Sequence, residues 1–224
     1  MRPHTRKLLA KLASQCPCIV VSGRSRRDVQ RRLRGIKLEG VIGNHGIEPW
    51  ASSKALAKTV QTWIPLLKTK LTIVRGVVLE EKQFSVSIHY RKARHKRKAI
   101  TAIKRIAKAL LGARLIGGKQ VINIVPKGAP DKGLAVERER RRQHYDKVIY
   151  VGDDETDEHA FAMVRTGRFL TIRVGPKRSS LARFHIRNQK EIDRLLASLI
   201  ALRTRRGATK RALKAARSTA APRR

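Results

Sequence analysis

YVGDDETDEHAF, residues 150–161, gathers five carboxylates between Asp153 and Glu158, in a 224-residue chain with only 16 Asp and Glu against 53 Lys and Arg. The run Lys147 to Val151 ahead of it is apolar and β-branched, so it predicts a strand over 147–151. Gly152 lets the backbone turn sharply, and a helix is predicted over 155–164. The helix dipole favours Asp and Glu near such an N-terminus. Carboxylates at the carboxyl end of a strand also suit a hard cation: Mg²⁺ takes one or two protein carboxylates and completes its octahedron with water and phosphate oxygens.

Outward from this stretch the pattern alternates. Leu8, Leu9 and Leu12 repeat at helical spacing before the strand run Ile19-Val20-Val21, and Val29 with Leu33 mark a helix before a strand over 38–42. Past Pro126 come a helix over 132–142, the strand over 147–151, the helix over 155–164, a strand over 169–174 and a helix over 191–202. Between these halves the pattern changes to a helix over 51–67, strands over 72–79 and 83–90, a basic helix over 96–111, and short strands around Leu115 and over 121–125. The expected fold class is therefore α/β: a doubly wound, Rossmann-like core from 1–50 and 126–202, with an α+β lobe inserted over 51–125. Residues 203–224 hold no acidic residue and little apolar periodicity, and are expected to form a basic, mostly disordered tail.

With 41% apolar and 4% aromatic residues, the chain can bury an aliphatic core. A formal net charge of +37 attracts polyanions. Cys16 and Cys18 flank Pro17, too close to bridge easily and too few for a disulfide framework, which fits reduced thiols in a reducing compartment. Lys11 interrupts the N-terminal apolar stretch, no cleavage pattern follows, and no apolar run reaches the roughly 20 residues of a membrane span. A soluble, cytoplasmic protein is expected.

Four motifs occur in order: VVSGRS (20–25), IGNHGIE (42–48), DKGLAV (131–136) and the acidic stretch. Open α/β sheets bind ligands at the carboxyl ends of their strands, where the first, second and fourth of these fall. Ser22 and neighbouring amides could hold a phosphate, Lys132 could neutralise charge on a transferring phosphoryl group, and the carboxylates could place Mg²⁺.

These motifs, with LEEKQFSVSIHYR in the middle lobe, resemble those of the trehalose-6-phosphate phosphatases of the haloacid dehalogenase-like superfamily, over nearly all residues from about 5 to 202. The resemblance implies a haloacid dehalogenase-type core with an inserted cap that closes over the sugar. It implies a Mg²⁺-dependent phosphatase acting on trehalose 6-phosphate in trehalose biosynthesis. Catalytic roles fall on Ser22 and Lys132, and metal binding on Asp153, Asp154 and Asp157, with Asp153 foremost. Substrate binding falls on Arg24, Asn44 and His45 in the core, and on Glu80, Lys82, His89 and Arg91 in the cap. A monomer is expected. Glu80 and Lys82 share a face of any strand they occupy, where they could pair with each other or grip hydroxyls.

Two departures stand against the match. The family's first motif, DxDGT, supplies the attacking Asp and the acid–base Asp on the first core strand, and this sequence contains no such motif. Its first Asp, Asp28, falls after VSGR and cannot stand in, so the chain is expected to be inactive as written, with its first strand missing through truncation or a late start. The strands around Val20 and Ile149 would then either close on each other or leave open edges. The second departure is Asn123, where the family usually has Glu facing sugar. Two alternatives remain: a non-catalytic remnant that binds sugar phosphate, and a basic nucleic-acid binder resting on RKARHKRK (91–98), ERERRRQ (137–143) and the tail. Few aromatics and no recognition motif weigh against the latter, leaving non-specific polyanion binding.

Overall fold

Three separate β-sheets organise the chain, whose computed structural model describes residues 1–50 and 53–219. At the N-terminus, α1 (Pro3–Ala13) leads to β1 (Ile19–Val21), α2 (Arg26–Arg32) and β2 (Gly40–Ile42), with β1 and β2 paired in parallel. After α3 (Ser53–Leu71) come β3 (Val78–Glu81), β4 (Val86–His89), α4 (Lys96–Lys108), β5 (Ala113–Gly118) and β6 (Val121–Pro126), which form an antiparallel sheet of order β3-β4-β6-β5. The chain then resumes with α5 (Lys132–Arg142), β7 (Val148–Gly152), the short α6 (Glu158–Phe161), β8 (Phe169–Val174), β9 (Phe184–Ile186) and α7 (Ile192–Thr219). Strands β7, β8 and β9 are parallel. The fold is thus the expected α/β class, parallel at both ends and α+β between.

The middle sheet has one apolar and one polar face because side chains alternate along a strand. Val86, Ile88, Ile122 and Ile124 turn inward under α3 and α4, meeting Val60 and Leu67 of the one helix and Ile103 of the other. In α4 the inward residues Ala99, Ile103, Ile106 and Ala107 recur at helical spacing and leave Arg97, Lys104 and Lys108 on the other side. The opposite face of the sheet carries Ser87, His89 and Asn123, with Ser85 just before β4, and looks toward the core. Phe84, Ile116 and Val125 pack there against Ile47.

The edges around the expected missing strand stay open. Among the described residues β1 pairs only with β2, and β7 only with β8. Val21 of β1 still packs against the cluster that holds Val136, Tyr150 and Phe161. On β7 the cost is visible as exposed Ile149 (49%) and Val151 (37%), on the face opposite buried Tyr150. Unpaired strand edges flanked by apolar side chains are templates for association.

Several boundaries differ from the sequence expectation. The helix predicted to end at Leu67 runs on to Leu71, where the Thr72 hydroxyl bonds back to the Thr69 carbonyl, and the strand expected from Thr72 starts only at Val78. The single helix expected over 155–164 is instead a 3₁₀ turn, α6 and a second 3₁₀ turn. β9 is unforeseen because RFHIRN is short and basic, with only Phe184 and Ile186 to mark an apolar face. The stretch from Arg203 expected to be disordered continues α7 as far as Thr219, in keeping with its content of Ala, Leu, Lys and Arg, all good helix formers; 220–224 lie outside the described residues. The first two residues of the helix predicted from Ala51 also lie outside them.

Replacing exposed Ile149 by Lys is expected to reduce concentration-dependent association while changing stability by less than about 1 kcal/mol. Light scattering and urea denaturation of both proteins check this, and undiminished association would show that β7 is not the sticky edge.

Candidate functional site

The acidic stretch is built around Asp157, a carboxylate that is 4% exposed and holds four donors. Its Oδ1 accepts from Lys132 Nζ at 2.8 Å and from the Tyr150 hydroxyl at 2.7 Å. Its Oδ2 accepts from the Asp153 and Asp154 amides, each at 2.8 Å. Gly152 is required here, since a Cβ at that position would lie 2.3 Å from Asp157 Cγ. Burial pushes the Asp157 acid upward, but the Lys132 charge and these hydrogen bonds outweigh it and hold the group below its ordinary value. Tyr150 is raised far above the usual phenol range, first by burial and then by the neighbouring Asp157 charge.

With four donors on its two oxygens, Asp157 has no free lone pair to offer a cation in this arrangement. The expectation that Asp153, Asp154 and Asp157 share that task narrows to the first two. The exposed Asp153 carboxylate makes no hydrogen bond or ion pair among the described residues, and Asp154 Oδ1 accepts the Glu155 amide at 2.6 Å. Burial raises the Asp154 acid. Among the described residues no group of three or more His, Cys, Asp or Glu is placed to hold a metal. The donor set nevertheless fits an ion that takes one or two carboxylates and otherwise water and phosphate oxygens.

Arg173 on β8 is a residue that sequence reasoning missed. It is 9% exposed, forms a 2.7 Å ion pair with Glu158, and donates to the backbone carbonyls of Asp153 (3.1 Å) and Asp154 (3.4 Å). It thereby clamps the acidic turn from behind. Only the register of β8 against β7, which pairs Arg173 with Gly152, brings it there.

Beside this turn, IGNHGIE folds into a strained corner. Asn44 (φ 45°) and His45 (φ 60°) both occupy the left-handed region, which costs non-glycine residues of order 1–3 kcal/mol each. The Asn44 amide bonds the Arg24 carbonyl (2.8 Å) and the His45 amide bonds the Ser22 carbonyl (3.0 Å), fastening the corner to VVSGRS. The His45 ring lies against residue 23, where a Cβ would sit 2.5 Å from its Cε1, so only Gly fits. Both side chains are buried, at 0% and 5% exposure. Among the described residues, neither ring nitrogen of His45 nor Nδ2 of Asn44 makes a hydrogen bond of normal geometry, although the Asn123 side chain lies near enough to the imidazole to act on it. Burial first, then the charges of Lys132 and Lys82, hold the imidazole neutral with a pKa lowered to about 3. Unsatisfied buried polar groups of this kind cost about 1–3 kcal/mol each and call for an explanation.

The polar face of the middle sheet closes over this corner. Lys82 Nζ reaches the Gly23 carbonyl at 3.3 Å, and the Ser85 hydroxyl donates to Asn44 Oδ1 at 3.4 Å. Ser87 donates to Asn123 Oδ1 at 2.6 Å, both buried. Desolvation lowers the Lys82 ammonium. Arg114 on β5, anchored on the Ala129 carbonyl at 2.9 Å, adds a third cation to the field at His45. Ser22, Asn44, His45, Lys82, Lys132, Asp154 and Asp157 are thus brought into one connected neighbourhood. Ser85, Ser87, Arg114 and Tyr150 join it unforeseen; FSVSIHY did signal two small polar residues on one strand face.

Other candidates border this neighbourhood. Arg24 is ion-paired with Asp28 at 3.1 Å, together with Arg31 and Arg32. Arg32 first, then Arg31, lower the Asp28 acid to about 2, and the residue lies on α2. Glu80 forms a 2.7 Å pair with His89 and lies 3.7 Å from Lys82, so the two residues left open by the sequence are in contact with each other. Arg91 is exposed.

Two effects on stability are expected. Asp157→Asn leaves Lys132 buried without its counter-charge and should cost about 3–5 kcal/mol by urea denaturation at pH 7. The His45 imidazole binds a proton in the unfolded chain below about pH 6.5 but in the folded chain only near pH 3. Stability should therefore fall with pH across that window, by at most about 1.4 kcal/mol per unit, and His45→Gln should flatten that slope above about pH 4, where Asp157 is still ionised.

The family model described as trehalose-phosphatase matches residues 1–190. A trehalose-phosphate phosphatase of Mycobacterium ulcerans is 32% identical over 209 residues, covering 87% of this chain and 50% of that protein. An "uncharacterized glycosyl hydrolase" of Mycobacterium tuberculosis is 34% identical over 186 residues, which is 74% of this chain but 14% of that protein. The chain therefore spans half or less of the length of these curated relatives. Among solved structures, a trehalose-6-phosphate phosphatase related protein superposes with a TM-score of 0.73 at 24% identity, covering 92% of this chain and 90% of that one. The C-terminal domain of Candida albicans trehalose-6-phosphate phosphatase gives 0.75 at 18% identity, covering 89% and 84%. Motifs, fold and this match over most of the chain agree: the protein belongs to the trehalose-phosphatase family, on a haloacid dehalogenase-type α/β fold.

Proposed function

We propose that this chain binds trehalose 6-phosphate between its parallel core and the 51–125 unit, which acts as the cap, and that as written it hydrolyses the ester far more slowly than an intact phosphatase. The observation that carries this reading is the buried His45 and Asn44 pair, whose nitrogens make no hydrogen bond of normal geometry in a neighbourhood charged by Lys82, Lys132 and Arg114. A phosphoryl group offers acceptors to the Asn44 amide and a neutral imidazole N–H, and its negative charge is stabilised by the cations. Ser22 and the amides after β1 hold a phosphate oxygen. Lys132, oriented by Asp157, keeps donors to spare for charge that builds on the phosphoryl group.

Asp153 and Asp154 are the residues that would hold Mg²⁺. Bound there, the ion supplies charge neutralisation for the phosphoryl oxygens. Glu80 with His89, and Arg24 with Arg91, face the sugar in this reading, and Asn123, fixed by Ser87, replaces a charged hydroxyl acceptor by a neutral one. Turnover needs a carboxylate aligned to attack phosphorus, and the sequence holds no DxDGT motif to supply it. The two free thiols, Cys16 and Cys18, accord with a cytoplasmic setting. No helix among the described residues is long and apolar enough to cross a membrane.

Calorimetry with trehalose 6-phosphate in the presence of Mg²⁺ is expected to give binding, while a phosphate-release assay gives little or none. Lys82→Ala should weaken that binding about 10- to 150-fold, the worth of one charged hydrogen bond. No detectable binding by the folded chain would overturn the reading, and rapid phosphate release would overturn its inactive form.

A further inference from the structure

Most of the protein's arginines next to carboxylates are matched. Asp28 takes Arg24, Arg31 and Arg32; Glu137 takes Arg140 and Arg141; Glu139 takes Arg142; Glu191 takes Arg187. The run ERERRRQ, which suggested a polyanion site in the sequence, is therefore largely self-neutralised. The other run, RKARHKRK, is not. It leads into α4, KRKAITAIKRIAK, which has no acidic residue, and its cations Lys96, Arg97, Lys98, Lys104, Arg105 and Lys108 are all exposed. Among the described residues, none of these six forms an ion pair or a side-chain hydrogen bond.

The helix also fixes where these charges point. At 3.6 residues per turn, Arg97, Lys104 and Lys108 fall within about 40° of one another, with Lys98 and Arg105 about 80° further round. The apolar stripe through Ala99, Ile103, Ile106 and Ala107 lies on the far side and is buried against the middle sheet. From Arg97 to Lys108 the row spans about 16 Å, the length over which one strand of a B-form duplex presents roughly five phosphates.

We propose that the outer face of α4 is a sequence-independent docking surface for the phosphate backbone of double-stranded nucleic acid. This goes beyond the sugar-phosphate reading, because α4 covers the face of the sheet opposite to Ser85, Ser87 and Asn123, and a duplex on it leaves the cleft open. The chemistry selects the partner. A membrane-surface helix needs an apolar face to insert, and the apolar face of α4 is already consumed by the core. A single strand is gripped by aromatic stacking, and α4 has no aromatic residue. What remains is a rigid row of cations suited to a regularly charged rod, binding by counterion release.

The test is fluorescence anisotropy of the full chain with duplex DNA and duplex RNA of about 20 base pairs at several salt concentrations between about 50 and 200 mM. The variant Arg97→Glu/Lys104→Glu/Lys108→Glu changes the charge by the same amount as the control Lys7→Glu/Lys37→Glu/Lys190→Glu, whose three residues are also exposed. The helix variant is expected to bind at least about tenfold more weakly than the control, and to lower the slope of log K against log salt by about 3, one for each phosphate no longer neutralised. The triple Gln variant at 97, 104 and 108 should show the same ranking, with circular dichroism verifying that α4 persists. Equal weakening in helix and control variants would mean diffuse attraction to the whole +37 surface and would overturn the assignment. Binding to phosphatidylserine vesicles without binding to duplex would overturn it in favour of a membrane.

Discussion

The grip of Asp157 on Lys132, Tyr150 and two backbone amides is the interaction on which the rest of the site depends. It joins α5 to the end of β7 and folds the acidic turn so that the Asp153 side chain is exposed while Asp154 caps the Glu155 amide. A carboxylate so deeply buried is tolerable only because each lone pair is met, and a buried Lys132 only because Asp157 faces it. Asp153 owes its freedom to this arrangement. One aspartate spends all its acceptors on geometry, and its neighbour keeps its own available for chemistry, with Arg173 bracing the turn from the adjacent strand.

The second half of the site is set by a different constraint, the parity of the middle sheet. A strand has only two faces, and helices α3 and α4 take the one bearing Val86, Ile88, Ile122 and Ile124. The remaining face must carry the polar residues of β4 and β6, and these reach the strained Asn44-His45 corner across the gap between sheets. Burial and the field of three cations keep His45 neutral there, so the corner offers hydrogen-bond groups without adding a charge of its own. The same division of faces sends the cations of α4 away from the cleft, so that one sheet separates two positively charged regions of different character.

The open edges of β1 and β7 connect fold and chemistry. A parallel sheet is ordinarily buried and continuous through its centre. Here the helix layer, through Val136 and Phe161, holds the two flanking strands in one apolar cluster without backbone pairing between them. Packing of side chains can hold two strands of an α/β core in one cluster without a ladder between them, although Ile149 and Val151 then stay exposed.

The α/β class, the change to an antiparallel pattern in the middle of the chain and the cluster of acidic residues at the end of a strand were legible in the sequence, since apolar periods of 2 and 3.6 and the turn at Gly152 are local properties. The motifs of Ser22, His45 and Lys132 were legible too, and the structure places these three residues close together. Boundaries such as Leu71 and the strand β9 were not, because local propensity there is weak, and the helical course of 203–219 was missed because good helix formers without apolar periodicity were read as a tail. The sequence could not say that Asp157 is saturated, that Arg24 turns to Asp28, or that Glu80 meets His89. Composition likewise determined the large positive charge, but only tertiary structure decided which cations are matched and which stand free. The physical reason is that identity and spacing fix what a side chain can do, whereas register and burial fix which partners it meets and hence which of its capacities are left unspent.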